Sequence, residues 1–319
     1  MAVGTGINET LNYAVEYSRA LAGAFPTQLK FGKLYATPNN TRYRWVNANT
    51  IEIPSITTTG RVSADRDSIG TAQRNYDNAW ETKTLSNQRK WSTLVHPMDI
   101  TQTNLVTTIT NITTEFNQTQ KFPEMDAYCV SKIYSDWTKV DDPTAEEAGK
   151  KREADTTALT TENILSVFDK LMLKMDNENV PAEGRILYVT HEVKYLLKEA
   201  DKISRSIDVT NNNNTINRNV NRLDEVEIIG VPATLMKTAY LFTEGYKVAP
   251  NAKQINMMLI HPIAVITPVS YTFSRLDKPS AGSEGKYIYY EESFEDVFIL
   301  NKRAGAIQFN ITDTSSVGD

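Results

Sequence analysis

Residues 57–80 read TTTGRVSADRDSIGTAQRNYDNAW. Arginines at 61, 66 and 74 and aspartates at 65, 67 and 77 are spread through the stretch, and Val62 and Ile69 are its only branched aliphatic side chains. A segment this long with so little to bury has no place inside a compact domain. The text on either side is strand-like: NTIEIPSIT before it and WETKTLSNQRKWSTLV after it. Residues 51–56 and 80–95 alternate loosely between apolar and polar, with Thr, Ile, Val and Trp prominent, as half-exposed strands do. The reading is a long two-stranded ribbon that holds a charged tip away from the body. Such a ribbon is marginal alone and needs a surface to lie on.

The body behind it has ordinary proportions. The chain has 319 residues, 40% hydrophobic and 23% charged, which is enough for one large or two modest domains with real cores. A net charge of −5 does not suit a protein that grips nucleic acid by releasing its counterions. Cys129 is the only cysteine, so no internal disulfide framework exists. The opening MAVGTGINETLNYAVEYS lacks the basic start and apolar core of a secretion signal. The most apolar run, MMLIHPIAVITPV, contains His261, Pro262 and Pro268 and is too short to span a bilayer. A soluble protein made inside the cell is expected.

Periodicity supplies the remaining elements. Leu11, Ala14, Val15 and Ala22 predict a short helix over 8–22, and the Asn- and Pro-punctuated text from there to about residue 45 reads as an extended arm. Leu105, Ile109, Ile112 and Phe116, then Met125, Cys129 and Ile133, predict one long helix or two in tandem around Pro123, despite many threonines. Residues 138–157 are charged and read as a linker or an exposed excursion. From residue 161 helix and strand alternate. Ile164, Phe168, Leu171 and Met175 share one helical face, RILYV is a buried-strand run, and Thr190 is placed to cap HEVKYLLKEA. An asparagine-rich loop follows at DVTNNNNTINRNVNR, then strands at VEIIGVPATLM and INMMLIHPIAVITPVSYTF. The last strands, in GKYIYYEESFEDVFILNKRAGAIQFNI, are expected to be two long ones joined at a turn around NKRAG. The fold class is α+β, with a mixed or antiparallel sheet, a long helix and the projecting ribbon.

No constellation for catalysis emerges. His96, His191 and His261 are far apart and read as structural, and Cys129 falls on the apolar helix face as a small core residue. The glycines at 4 and 6 follow no strand and form no phosphate loop. Glu291, Glu292, Glu295 and Asp296 read as a solvated turn or edge in preference to a cation site. The Asn-X-Thr/Ser sequences at Asn8, Asn39, Asn111, Asn117, Asn213 and Asn310 reflect Asn/Thr richness alone. No catalytic residue, cofactor or metal is expected, and the chain reads as no enzyme. A charged ribbon, an arm and a long rigid helix suit a protein that tiles with copies of itself, where the ribbon exchanges water for a neighbour's surface.

The ordered blocks NANTIEIPSITTTGRVSADRD, WETKTLSNQRKWSTLVHPMDITQTN, KFPEMDAYCVSKI, VPAEGRILYVTHEVKYLL, NRLDEVEIIGVPATLM and ESFEDVFILNKRAGAIQF resemble the major capsid proteins of tailed bacteriophages, over residues 45–311. The resemblance implies the Hong Kong ninety-seven-like fold. Its parts would be an N-terminal arm (1–40), an extended E-loop (41–99), a peripheral domain with a spine helix (100–160), an axial domain (161–265) and the peripheral domain's C-terminal strands (266–319). It implies an icosahedral shell of hexamers and pentamers around double-stranded DNA that is held without sequence-specific binding. Further partners would be a separate scaffolding protein, a portal and a decoration protein, with no membrane contact, in a virion made in the host cytoplasm. Inter-subunit contacts would come from Arg61, Asp65, Arg66, Arg74, Asp77, Trp80 and Arg89. The loop at the capsomer axis would contain Asn211, Asn212, Asn213, Asn214 and Arg218. A nanocompartment shell or a phage-derived particle with the same fold is the alternative.

Overall fold

The structure, a computed structural model, describes residues 29–61, 74–102, 109–145, 147, 149–200 and 222–315. The expected helix over 8–22, the helical position of Leu105 and the asparagine-rich loop lie outside the described residues.

Residues 29–40, expected as part of an arm, are packed on the body. Leu29, Phe31 and Leu34 are buried around the single turn α1 (Gly32–Tyr35). The Asp126 carboxylate accepts the backbone N–H groups of Lys30 and Phe31, at 3.0 and 3.2 Å. Three apolar side chains in six residues were the signal for docking, masked by the prolines and asparagines around them.

Next come β1 (Arg44–Asn47), β2 (Thr50–Thr58) and β3 (Tyr76–Thr84), an antiparallel sheet in that order. The ribbon is therefore real, but its returning strand ends at Thr84. β4 (Gln88–Val95) belongs to a second sheet, and this corrects the reading of 80–95 as one strand. The break falls at buried Leu85 and at Ser86, whose N–H and hydroxyl both bond the Asp296 carboxylate.

After α2 (Pro97–Gln102), whose Met98 N–H is accepted by the His96 ring, the long helix runs over residues 109–137. It is α3 (Ile109–Phe116), a π-turn (Asn117–Lys121) and α4 (Phe122–Trp137), with Pro123 directly after the π-turn, where the helical bonding is already interrupted. The threonines are tolerated because Thr113, Thr114 and Thr119 bond back to the carbonyls of Ile109, Thr110 and Glu115. At 1.5 Å per residue the helix is about 43 Å long.

The remaining elements are α5 (Ile164–Asn177), β5 (Ile186–Thr190), α6 (His191–Glu199), β6 (Arg222–Leu223), β7 (Val226–Val231), β8 (Tyr240–Leu241), β9 (Lys247–Val248), β10 (Lys253–Ile260), β11 (Val265–Ile266), β12 (Val269–Asp277), β13 (Tyr287–Glu295), β14 (Phe298–Ile299) and β15 (Ile307–Ser315). A mixed sheet ordered β15-β10-β5-β7-β6 forms the centre, with β5 and β7 parallel. Every residue of β5 is buried because both faces are covered. Leu187, Val189, Met257 and Leu259 meet Ile164, Phe168, Leu171 and Met175 of α5 and Val193 and Leu197 of α6. Ile186, Tyr188, Met258 and Ile260 lie in the core of α4, with Cys129, Ile133 and Trp137. Thr190 caps α6 as expected, its hydroxyl accepting the Val193 N–H.

The second sheet, β12-β13-β4, lies against the other end of the long helix. Trp91 stacks on Phe116 with centroids 3.9 Å apart, and Val95, Ile109 and Tyr289 form a small core there. One helix thus joins both sheets. The expected closing pair of strands is corrected: β13 and β15 lie in different sheets, separated by β14 and a 3₁₀ helix over Asn301–Ala306. The 138–157 segment is mostly exposed, yet Arg152 is buried and makes a two-pronged ion pair with Glu178 at 2.7 and 2.6 Å.

Burial also sets one unusual carboxylate here. Asp126 is pushed up to about 6, first by desolvation and then partly restrained by its two backbone N–H donors. The folded chain holds this proton more tightly than an unfolded one does. Its contribution to stability is full below the ordinary carboxylate range and is lost as the pH rises through about 6. The unfolding free energy of the natural chain, taken relative to Asp126→Asn, should fall by about 2–3 kcal/mol between pH 4 and pH 7. Urea titrations across that window measure it, and a flat difference would place the proton elsewhere.

Candidate functional site: the ribbon and its outward face

The ribbon is buried at its root and bare beyond it. Ile51 and Ile53 of β2 enclose a small core with Leu85, Ile266 and Phe298. From Pro54 outward, β2 and β3 have no buried residue. Pairing runs without a slip from Thr50 opposite Thr84 to Thr58 opposite Tyr76, and the Thr59 N–H still reaches the Asn75 carbonyl at 2.9 Å.

That register sorts the side chains. Strand alternation puts Ile51, Ile53, Lys83 and Glu81 on one face, the face that packs on the body. Pro54, Ile56, Trp80 and Tyr76 therefore share the opposite face. There Ile56 is 68% exposed, Tyr76 57% and Trp80 43%. Arg44 lies over the Trp80 ring at 3.7 Å while both its Nε and Nη2 donate to Glu52. The guanidinium is held flat and adds to the stacked surface. The body braces the ribbon from its other side: Lys83 meets Glu81 and Asn301, and Lys302 donates to the Ile56 carbonyl.

The expected contact residues divide accordingly. Trp80 stands on the outward face. Arg74 lies at the far end, over the Tyr76 ring at 4.7 Å and bonded to the Tyr76 carbonyl and Asn78. Asp77 is exposed 3.9 Å from Arg74, and Arg61 is exposed just past the ribbon's last pair. Arg89 is elsewhere, on β4, where its guanidinium donates to Glu124 and to the Phe242 carbonyl within its own chain. Asp65, Arg66, Asn211, Asn212, Asn213, Asn214 and Arg218 lie outside the described residues. Sequence reasoning missed Ile56, Tyr76 and Pro54, which look unremarkable until strand pairing shows that they share a face with Trp80.

The acidic group corrects its reading as a solvated edge. β13 is the middle strand of its sheet, and Asp296 is buried, accepting from Ser86, from the Tyr128 hydroxyl and from its neighbour's N–H. Glu291 is paired with Lys121 at 3.0 Å and with the Tyr289 hydroxyl. Glu295 is pushed up to about 6, chiefly by desolvation. Glu291 and Glu295 line a cleft of about 200 Å³ beside the π-turn, with Arg89, Glu124 and Trp91. His261 is structural, its ring bonded to the Glu183 carbonyl and the Ile263 N–H. Among the described residues no group of His, Cys, Asp and Glu is placed to hold a metal, and no helix is long and apolar enough to cross a membrane.

No protein-family model matches the chain, and no curated protein does. Solved structures do. The mature capsid of bacteriophage PhiM1 matches with a TM-score of 0.60 at 14% identity, over 83% of this chain and 82% of that one. The fold is that of phage capsid subunits. The capsid of cyanophage P-SCSP1u agrees, with a TM-score of 0.60 at 12% identity over 84% of each chain. A structure from Mycobacterium phage Che8 gives 0.57 at 11% identity, over 88% of this chain and 90% of that one. At such identities the likeness is one of backbone fold.

Proposed function

We propose that the chain is the self-assembling subunit of a phage capsid shell, a structural protein and not an enzyme, built into hexamers and pentamers around double-stranded DNA. The observation that supports this best is the ribbon, braced by its own body on one face and presenting Trp80, Ile56 and Tyr76 to solvent on the other, in a chain with the capsid fold. An apolar face of this kind is covered when a neighbouring copy lies beneath it. In this reading residues 41–84 are the E-loop that reaches the neighbour, while β4 belongs to the peripheral body. Residues 1–40 form the N-terminal segment, 161–265 the axial domain, and the asparagines at 211–214 with Arg218 the loop at the capsomer axis. A separate scaffolding protein, a portal and a decoration protein complete the particle, assembled in the host cytoplasm. An acidic wall suits DNA that is driven in and not bound.

Electron microscopy of the overexpressed chain, alone and with its scaffold, tests the proposal. Closed shells or capsomer rings are expected, and a compact monomer at every salt and protein concentration would overturn it. The shells are expected to be non-covalent. Residues 57–80 contain no lysine, and Lys83 at the root is engaged by Glu81 and Asn301 of its own chain. Boiled particles should run as single subunits on a denaturing gel, without a ladder of multiples.

A further inference from the structure

We infer that β12 is a second assembly surface, on which two copies of this chain pair edge to edge about a two-fold axis. β12 is the outer strand of its sheet and pairs as a strand with β13 alone among the described residues; at its start the Val269 backbone meets Tyr43 and the Ser270 hydroxyl donates to the Ala48 carbonyl, so the open edge begins at Tyr271. None of its nine residues is buried, and Val269, Tyr271 and Phe273 are 48%, 47% and 37% exposed. Beyond the register shift between Val269 and Tyr271, its edge has no proline and no lysine, and charge only at one end, where Arg275 and Asp277 pair with each other at 2.7 Å.

The occupant follows from the pattern. An antiparallel pairing of YTFSR with itself, centred on Phe273, uses the regular part of the strand from Tyr271 to Arg275. It sets Phe273 against the partner's Phe273, Tyr271 against the partner's Arg275 and Thr272 against the partner's Ser274. Each Arg275 then faces an aromatic ring, the two hydroxyl pairs meet, and no like charges are opposed. The rings are already arranged for this. Tyr271 and Phe273 lie parallel with centroids 6.3 Å apart, and Phe273 also meets Tyr290. A strand complementary to itself selects a second copy over an unrelated partner, because an isologous contact needs one surface only.

The geometry also gives the pairing a place. A ribbon laid on a different surface of its neighbour is a head-to-tail contact, which closes rings. Rings need a further contact to join into a shell, and a two-fold contact between outer strands joins them. This placement rests on the shell reading; the pairing itself is tested separately.

Phe273→Cys puts a thiol on the axis, and the remaining cysteine, Cys129, is buried. Under mild oxidation most of this variant should migrate as a covalent dimer, while Leu94→Cys, exposed at the far edge of the same sheet, should not. Amide hydrogen exchange on the unsubstituted chain provides a readout that needs no variant: exchange at 269–277 should slow severalfold when dilute subunits are brought to assembling concentration. Particles with Phe273→Cys still single, or with 269–277 exchanging as fast as in dilute subunits, would overturn the pairing and leave the shell reading standing. Covalent dimers with slowed exchange but no particles would support the pairing and sink the shell reading. Single chains by every measure would dispose of both.

Discussion

Gly305→Ala should destabilise the subunit by about 3 kcal/mol or more. A Cβ built on Gly305 overlaps the Glu178 carboxylate. Glu178 is an otherwise flexible side chain and could withdraw cheaply, except that it holds both prongs of Arg152. The Arg152 side chain is only 5% exposed, and its Nε already has no partner among the described groups. A displaced Glu178 therefore leaves a guanidinium charge out of water without its hydrogen-bonded carboxylate, which is what makes breaking a buried pair expensive. Gly60→Ala is the control, since nothing lies within 4 Å of the added atom. Thermal melts of the two variants check it, and equal midpoints would show that the carboxylate relocates freely.

The second large effect falls on assembly and leaves folding alone. Ile56→Asp with Trp80→Ser removes the two outward anchors of the ribbon, each contributing roughly 1.5–3 kcal/mol when covered by a neighbour. Loss of about 3 kcal/mol per contact weakens that contact more than a hundredfold, and every copy in a shell makes it. The subunit's own melting temperature should hardly move, because neither side chain belongs to the subunit's core. Excising 59–75 and closing the ribbon with Asn-Gly should act likewise, since a two-residue turn suits an unslipped antiparallel pair. The measurement is paired: melting of the subunit, and particle yield by microscopy. An unfolded subunit would mean that the ribbon supports its own body; normal shells would mean that its outward face touches nothing.

Local patterns carried the reading where partners are near in sequence. Ile164, Phe168, Leu171 and Met175 recur at helical spacing and are buried together, and Thr190 caps the helix after its strand. Partner choice was a different matter. The alternation in 80–95 is the same in β3 and β4, yet one strand pairs with residues thirty positions upstream and the other with β13, some two hundred downstream. Period alone says strand and is silent on the neighbour. Glu291 and Asp296 were misread for a related reason: their charges look solvated until Lys121, Ser86 and Tyr128 arrive from distant segments to meet them. The ribbon was legible because a stretch that can bury nothing is a local property, whereas its outward face required the register.

The way the ribbon is anchored has a mechanical consequence. Five side chains at Ile51, Ile53, Leu85, Ile266 and Phe298 form its pivot, and the five residues 54–58, paired with residues 76–80, extend from it about 17 Å. A tilt of about 10° at that pivot swings the far end through roughly 3 Å over such a length, enough to make or break a side-chain contact. Copies meeting neighbours at different angles can then share one rigid body, with its long helix and buried Arg152 unchanged, and absorb the difference as pitch at a single small bearing.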